Sequence, residues 1–162
     1  MKLFSNFIKA AACAVLLSPL GAFAAEHVVF KSEVFQEVTE NVNGEKKTKL
    51  VPAAKVLPGE EVVYILSFAN EGDAEASNLV INNPVPAHTW YRNGSAFGAG
   101  TEVSVSVDGG QQYGQLVELT VPLANGKERA ATSKDVTHVR WAVNYALQPG
   151  KTGTVSYRAV VQ

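Results

Sequence analysis

The chain has 162 residues, a formal net charge of −1, 46% hydrophobic residues and a single cysteine, Cys13. That length suits one domain with a real core. The balanced charge lacks the concentrated basic face that nucleic-acid binding needs, and one cysteine makes no disulfide framework.

Residues 1–24 read as an export signal. Lys2 and Lys9 form a short basic region, Ala10 to Leu20 an apolar core, and Ala22-Phe23-Ala24 supplies small residues before a cleavage point after Ala24. The apolar stretch is shorter than the ~20 residues of a spanning helix, and no later run is longer, so no membrane span is expected in the mature chain. Removing Lys2 and Lys9 takes the formal charge from −1 to −3 and removes Cys13 as well. Residues 25–162 must then fold in an oxidising compartment, periplasmic or secreted, on packing alone.

Val28–Val38 is the first extended stretch. Asn43-Gly44 follows as a hairpin turn, because both central positions of a type I′ turn need φ > 0. Lys46–Val51 returns from it. Pro58-Gly59 suits the two central positions of a type II turn. Glu61–Asn70 then places Tyr64, Leu66 and Phe68 on one face by the two-residue period of a strand. Ser77–Asn82 resumes the alternation up to Pro84-Val85-Pro86, a sequence that cannot lie inside a central strand.

The second half repeats this rhythm. Thr89–Arg92, Glu102–Val107 and Leu116–Val121 read as strands, with loops Ala87–Gly100 and Ala124–Asp135 as the candidate contact surfaces. Val136–Leu147 is the longest candidate, with Val139, Trp141, Val143, Tyr145 and Leu147 inward. Pro149-Gly150 turns the chain into Thr152–Val161, whose inward face is Val155, Tyr157, Ala159 and Val161. About eight or nine antiparallel strands without an amphipathic helix give the pattern of an all-β sandwich or barrel. The predicted core centres on Tyr64, Leu66, Phe68, Trp141 and Tyr157.

Pro58-Gly59-x-x-Val62-x-Tyr64, then Asn70-x-Gly72-Asp73, Asn78 and Pro86, resembles the bacterial secreted repeat family called "domain of unknown function eleven". Arg140-Trp141, Pro149-Gly150 and Thr154-Val155-Ser156-Tyr157 are similar to its closing strands. The resemblance spans roughly Val51 to Val161. It implies an immunoglobulin-like sandwich in exported or surface proteins, with no enzyme activity and no catalytic residues. Asn83-Pro84-Val85-Pro86 departs from the family's Asp-containing Leu-Pro corner.

Ser106, Asp108, Gly110 and Tyr113 fit the pattern Ser-x-Asp-x-Gly-x-x-aromatic, which resembles the Asp-box hairpin of sialidase-type propellers. A propeller needs about four or more blades, too many for this length, so the motif reads as a structural turn. His27, His88 and His138 fall in separate segments without zinc-ligand spacing, and Asp73, Asp108 and Asp135 show no calcium-loop spacing. Trp90 and Tyr91 are the candidate partner-contact aromatics; as strand neighbours they face opposite ways, which keeps one of them near the surface. No catalytic, cofactor or metal residue is assigned.

The functional expectation is a non-enzymatic structural or binding module of the envelope or secreted fraction. Its partner would be an envelope or extracellular protein or a polysaccharide, and the chain itself a monomer or weak homo-oligomer. One alternative is a pilus-like subunit that exchanges strands through Val28–Val38. A weaker one is glycan binding or processing, which would need a pair of carboxylates in a cleft.

Overall fold

A computed structural model describes residues 27–162. The proposed signal sequence lies outside the described residues. Asn43 and Gly44 adopt φ 55° and 85°, as a type I′ turn demands, and join β1 (Val28–Val42) to β2 (Glu45–Pro52). Gly59 at φ 89° and a bond from Glu60 N to Leu57 O (3.0 Å) close the second turn and start β3 (Glu61–Asn70). Both turns match their sequence signatures.

The strands β4 (Val80–Pro84), β5 (Thr89–Tyr91), β6 (Phe97–Gly98) and β7 (Thr101–Ser106) follow. After a single 3₁₀ turn, Leu116–Glu118, come β8 (Thr120–Pro122), β9 (Glu128–Ala130), β10 (His138–Val143) and β11 (Thr152–Val161). The large sheet runs β2-β1-β3-β11-β5, with β6 sharing the β11 edge used by β5. The small sheet runs β4-β10-β7, and β8 and β9 make a separate hairpin. All pairings are antiparallel. The fold is all-β and sandwich-like, with more and shorter strands than the sequence led us to expect.

The core lies between the two sheets. Leu66, Phe68, Val155, Tyr157 and Ala159 face it from the large sheet, and Ile81, Val105, Val139, Trp141 and Val143 from the small one. Tyr157 stands at its centre. It stacks on its register partner Tyr64 with ring centroids 4.9 Å apart, and lies 6.1 Å from Trp141. Burial raises the pKa of both tyrosines above the ordinary phenol value, Tyr157 the further of the two. All five predicted core residues contribute, although Tyr64 is half-buried.

Three local expectations are corrected. The strand read as Val136–Leu147 runs only from His138 to Val143; the Asn144 N–H still bonds Gly100 O (2.9 Å) in line with the β7 pairing, and the chain then leaves the sheet. Tyr145 therefore points outward, 40% exposed, while Leu147 regains the core through a bridge to Ala76. The stretch read as a strand from Leu116 to Val121 begins as the 3₁₀ turn. Finally, β1 runs four residues past Val38. It pairs with β3 only over Val28–Gln36, and beyond that point with β2 alone. The β1–β2 hairpin thus leaves the body as a two-stranded arm.

Candidate functional site

The polar motifs singled out in the sequence are committed to holding turns. Ser106 is buried, and its hydroxyl donates to Asp108 Oδ1 (2.7 Å) while accepting from Gly110 N (2.9 Å). Asp108 also accepts from the backbone N–H groups of Gln111 and Gln112 at 3.0–3.1 Å. These bonds, that from Gln112 first, hold its pKa below the usual carboxylate value. Tyr113 packs back over the turn, its hydroxyl beside Gly110 and its ring 3.4 Å from the Arg140 guanidinium. All four residues of the Asp-box-like pattern meet here as a closed structural turn.

Asp135 does the same for the second loop. Arg129 donates to both of its carboxylate oxygens at 2.7 and 2.6 Å, and the Thr132 N–H and hydroxyl add bonds at 2.8 Å. The guanidinium holds Asp135 well below the ordinary carboxylate pKa of 3.8. A depressed folded-state pKa stabilises fully above the unfolded value and less as pH falls below it. Asp135→Asn is therefore expected to lower the melting temperature at pH 6, and the gap from wild type should narrow steadily below about pH 3.8. Thermal melts from pH 6 to pH 2 check this; a constant gap would count against the ion pair.

Asn70 is fully buried, and its amide donates to Ala74 O (2.7 Å) and Leu147 O (2.8 Å) while accepting from Gly72 N (3.0 Å). Asn83 donates to Pro84 O and to the Tyr157 hydroxyl at 2.8 and 2.9 Å. Among the described residues no group of three or more His, Asp or Glu side chains could hold a metal ion. No helix of the described residues is long and apolar enough to cross a membrane.

The two candidate contact aromatics separate. Tyr91 is buried against Tyr157, with ring centroids 6.3 Å apart, and is withdrawn as a surface residue. It faces inward because its register partner on β11 is Ala159, a core position that leaves room for a ring. Trp90 lies on the opposite face, half-buried opposite Val160. The loop around them is pinned: Ser95 Oγ donates to Arg92 O (2.6 Å) and accepts from Arg158 N (3.0 Å).

A different surface stands open. The large sheet is wider than the small one, so the inward face of β1 continues past the β4 edge as far as Gln36, whose amide donates to Glu60 Oε2 (3.1 Å) in the connection from β2 to β3. The result is a groove of about 460 Å³ lined by Phe30, Ser32, Leu66, Val80, Ile81 and Asn83, among others. Phe30 is 56% exposed and Val80 49%. Val143 N bonds Leu79 O, so the alternation along β4 turns the backbone groups of Val80 and Asn82 toward the groove. Sequence reasoning missed Phe30, Val34 and Val80. The signal was present in β1, where apolar residues on one face recur at 30, 34, 38 and 42 with polar residues between.

No protein-family model and no curated protein matches the chain.

Proposed function

We propose that this chain is an exported, non-enzymatic binding or structural module of the cell envelope or secreted fraction, an immunoglobulin-like sandwich. One observation carries the reading. The Asp108 and Asp135 carboxylates and the Asn70 amide are engaged in hydrogen bonds that hold the fold, while an open groove with Phe30 and Val80 exposed runs along β1 and β4. Such a surface suits macromolecular contact better than turnover of a small substrate. The resemblance to the "domain of unknown function eleven" family and the apolar N-terminal region support export.

The groove also favours, as a second reading, a subunit that accepts a strand from a neighbour, because the β4 edge is free of charged side chains. Donation of β1 is a poorer fit, since the strand is already held by β3 over Val28–Gln36 and by β2 over Phe35–Val42.

Fractionation with N-terminal sequencing tests export: the reading expects protein in the periplasm or medium beginning at Ala25. A photo-crosslinking residue in place of Phe30, in intact cells, tests contact. It should give a covalent adduct that the same residue at Val117, 87% exposed on the 3₁₀ turn, does not give. Retention in the cytoplasm, or equal labelling at both positions, would overturn the proposal.

A further inference from the structure

We infer that the opening where the chain leaves β10 is a binding site for a neutral saccharide, with Tyr145 as the platform for one sugar ring. The inference rests on the binding-module reading above, adds a second surface to it and names the ligand class.

The site is built by a mismatch in chain length. Ala76 and Leu147 exchange both backbone bonds at 2.9 and 2.8 Å, and Val143 N bonds Leu79 O at 2.9 Å. Between those two fixed points, Ser77 and Asn78 on one segment oppose Asn144, Tyr145 and Ala146 on the other. The one extra residue gives the opening the character of a β-bulge, which interrupts a ladder and re-aims a side chain. Asn78 adopts a left-handed φ of 55°, which asparagine tolerates better than most residues. Just past Leu147, Gln148 Nε2 donates to Glu75 Oε2 (2.9 Å) and ties the two segments together again. The opening is a cleft of about 370 Å³, lined by those five residues and Val143. That volume falls within the range of small-ligand sites.

The chemistry of the lining selects the ligand. Asn78, Asn144 and Tyr145 are exposed. Each carboxamide offers donors and an acceptor side by side, and the phenol adds one of each. The backbone N–H groups of Asn78, Tyr145 and Ala146 have no partner among the described residues. Closely spaced neutral donors and acceptors of this kind match the hydroxyls of a sugar. No charged side chain lines the cleft, so a phosphate or a uronic acid would find no counter-ion. Apolar lining is confined to the Tyr145 ring, Ala146 and the buried Val143, too little for a lipid chain. An extended peptide would need the regular alternation of a strand edge, which the extra residue removes.

The Tyr145 ring is held in place. Its Cδ1–Cε1 edge lies so close to Gly100 that a Cβ there would stand 2.9 Å from Cδ1. Gly100 O also accepts the Asn144 N–H (2.9 Å), which fixes the backbone beside the ring. The platform is thus preorganised while Tyr145 stays 40% exposed. A pyranose with one flat face of C–H groups, as in β-linked glucose or N-acetylglucosamine, stacks on such a ring and turns its hydroxyls toward the two asparagines. One ring bound with the efficiency typical of small ligands gives a Kd on the order of 1 mM.

The test is an amide NMR titration of protein recovered from cells that express the full chain. Chitotriose and cellotriose are the probes, from roughly 0.1 to 20 mM. Wild type should show saturable shifts at residues 77–78 and 143–146. Tyr145→Ala should weaken binding about tenfold, while Tyr145→Phe, which keeps the ring, should stay within about threefold of wild type. Asn144→Ala should also weaken binding, and it keeps the test valid where Tyr145→Ala loses the dispersed spectrum of a folded chain. Trigalacturonate, a charged trimer, should give no saturable shift. Absence of saturation with both neutral sugars overturns the inference, and so does binding that Tyr145→Ala and Asn144→Ala leave unchanged. Equal binding of the charged trimer, or shifts confined to the surface around Trp90, overturns it too. Since purified protein reports sugar binding whatever its compartment, failure here is separate from failure of the export reading or of contact at Phe30.

Discussion

Trp141→Ala is expected to remove about 3–5 kcal/mol of folding stability, a large share of the total for a domain of this size. Trp141 sits mid-strand in β10, the central strand of the small sheet, with Ile81 and Val103 as its register partners on either side. It is fully buried and is the largest such side chain among the described residues. Its ring reaches across to Tyr157, which in turn stacks on Tyr64 of the next strand. Alanine here would empty the space between the sheets, and strands paired on both edges cannot collapse freely to refill it. The indole Nε1 has no hydrogen-bond partner among the described protein atoms. Trp141→Phe therefore removes a donor that the fold does not use, and should cost much less than alanine. Urea unfolding followed by circular dichroism measures both variants; fluorescence is a poor probe, since only Trp90 would remain. An alanine variant within about 1 kcal/mol of wild type would show that the ring does not hold the sheets together.

Turns and local alternation were legible in the sequence because their causes are local. Asn43-Gly44 and Pro58-Gly59 carry their conformations in two residues each, and the two-residue period put Leu66, Phe68, Trp141 and Tyr157 on the correct faces. What escaped depends on distant pairing. Tyr145 keeps the inward parity of its strand, yet it lies one residue past the last bond of the ladder, from Asn144 to Gly100. Tyr91 looked half free because the short segment around it gave no sign that Ala159 leaves space above the core. The groove was the hardest to foresee. It exists only because five strand positions oppose three, and the width of a sheet is written in no single segment. The stripe at 30, 34, 38 and 42 was visible, but without knowing that β1 outruns β3 it reads as ordinary half-buried alternation.

Gly153→Ala is expected to destabilise the fold by about 1–3 kcal/mol through overcrowding alone. Gly153 on β11 is the register partner of Phe68 on β3, and the Phe68 ring lies across its backbone. A Cβ built there falls inside contact distance of three ring carbons, Cε1, Cε2 and Cζ. The backbone at Gly153 is in a region open to any residue, so the cost is steric and not conformational. Phe68 is itself almost fully buried, and Phe30, at the mouth of the groove, lies 6.4 Å from its ring. A displaced Phe68 ring would thus disturb both the core and the candidate interaction face. A double-mutant cycle isolates the cause. In a Phe68→Leu background the smaller side chain should accommodate the new methyl, and Gly153→Ala should cost at least about 1 kcal/mol less than in wild type. Additive losses in denaturant titrations would instead place the strain in the β11 backbone, and would remove the packing of Phe68 on Gly153 as the link between core and groove.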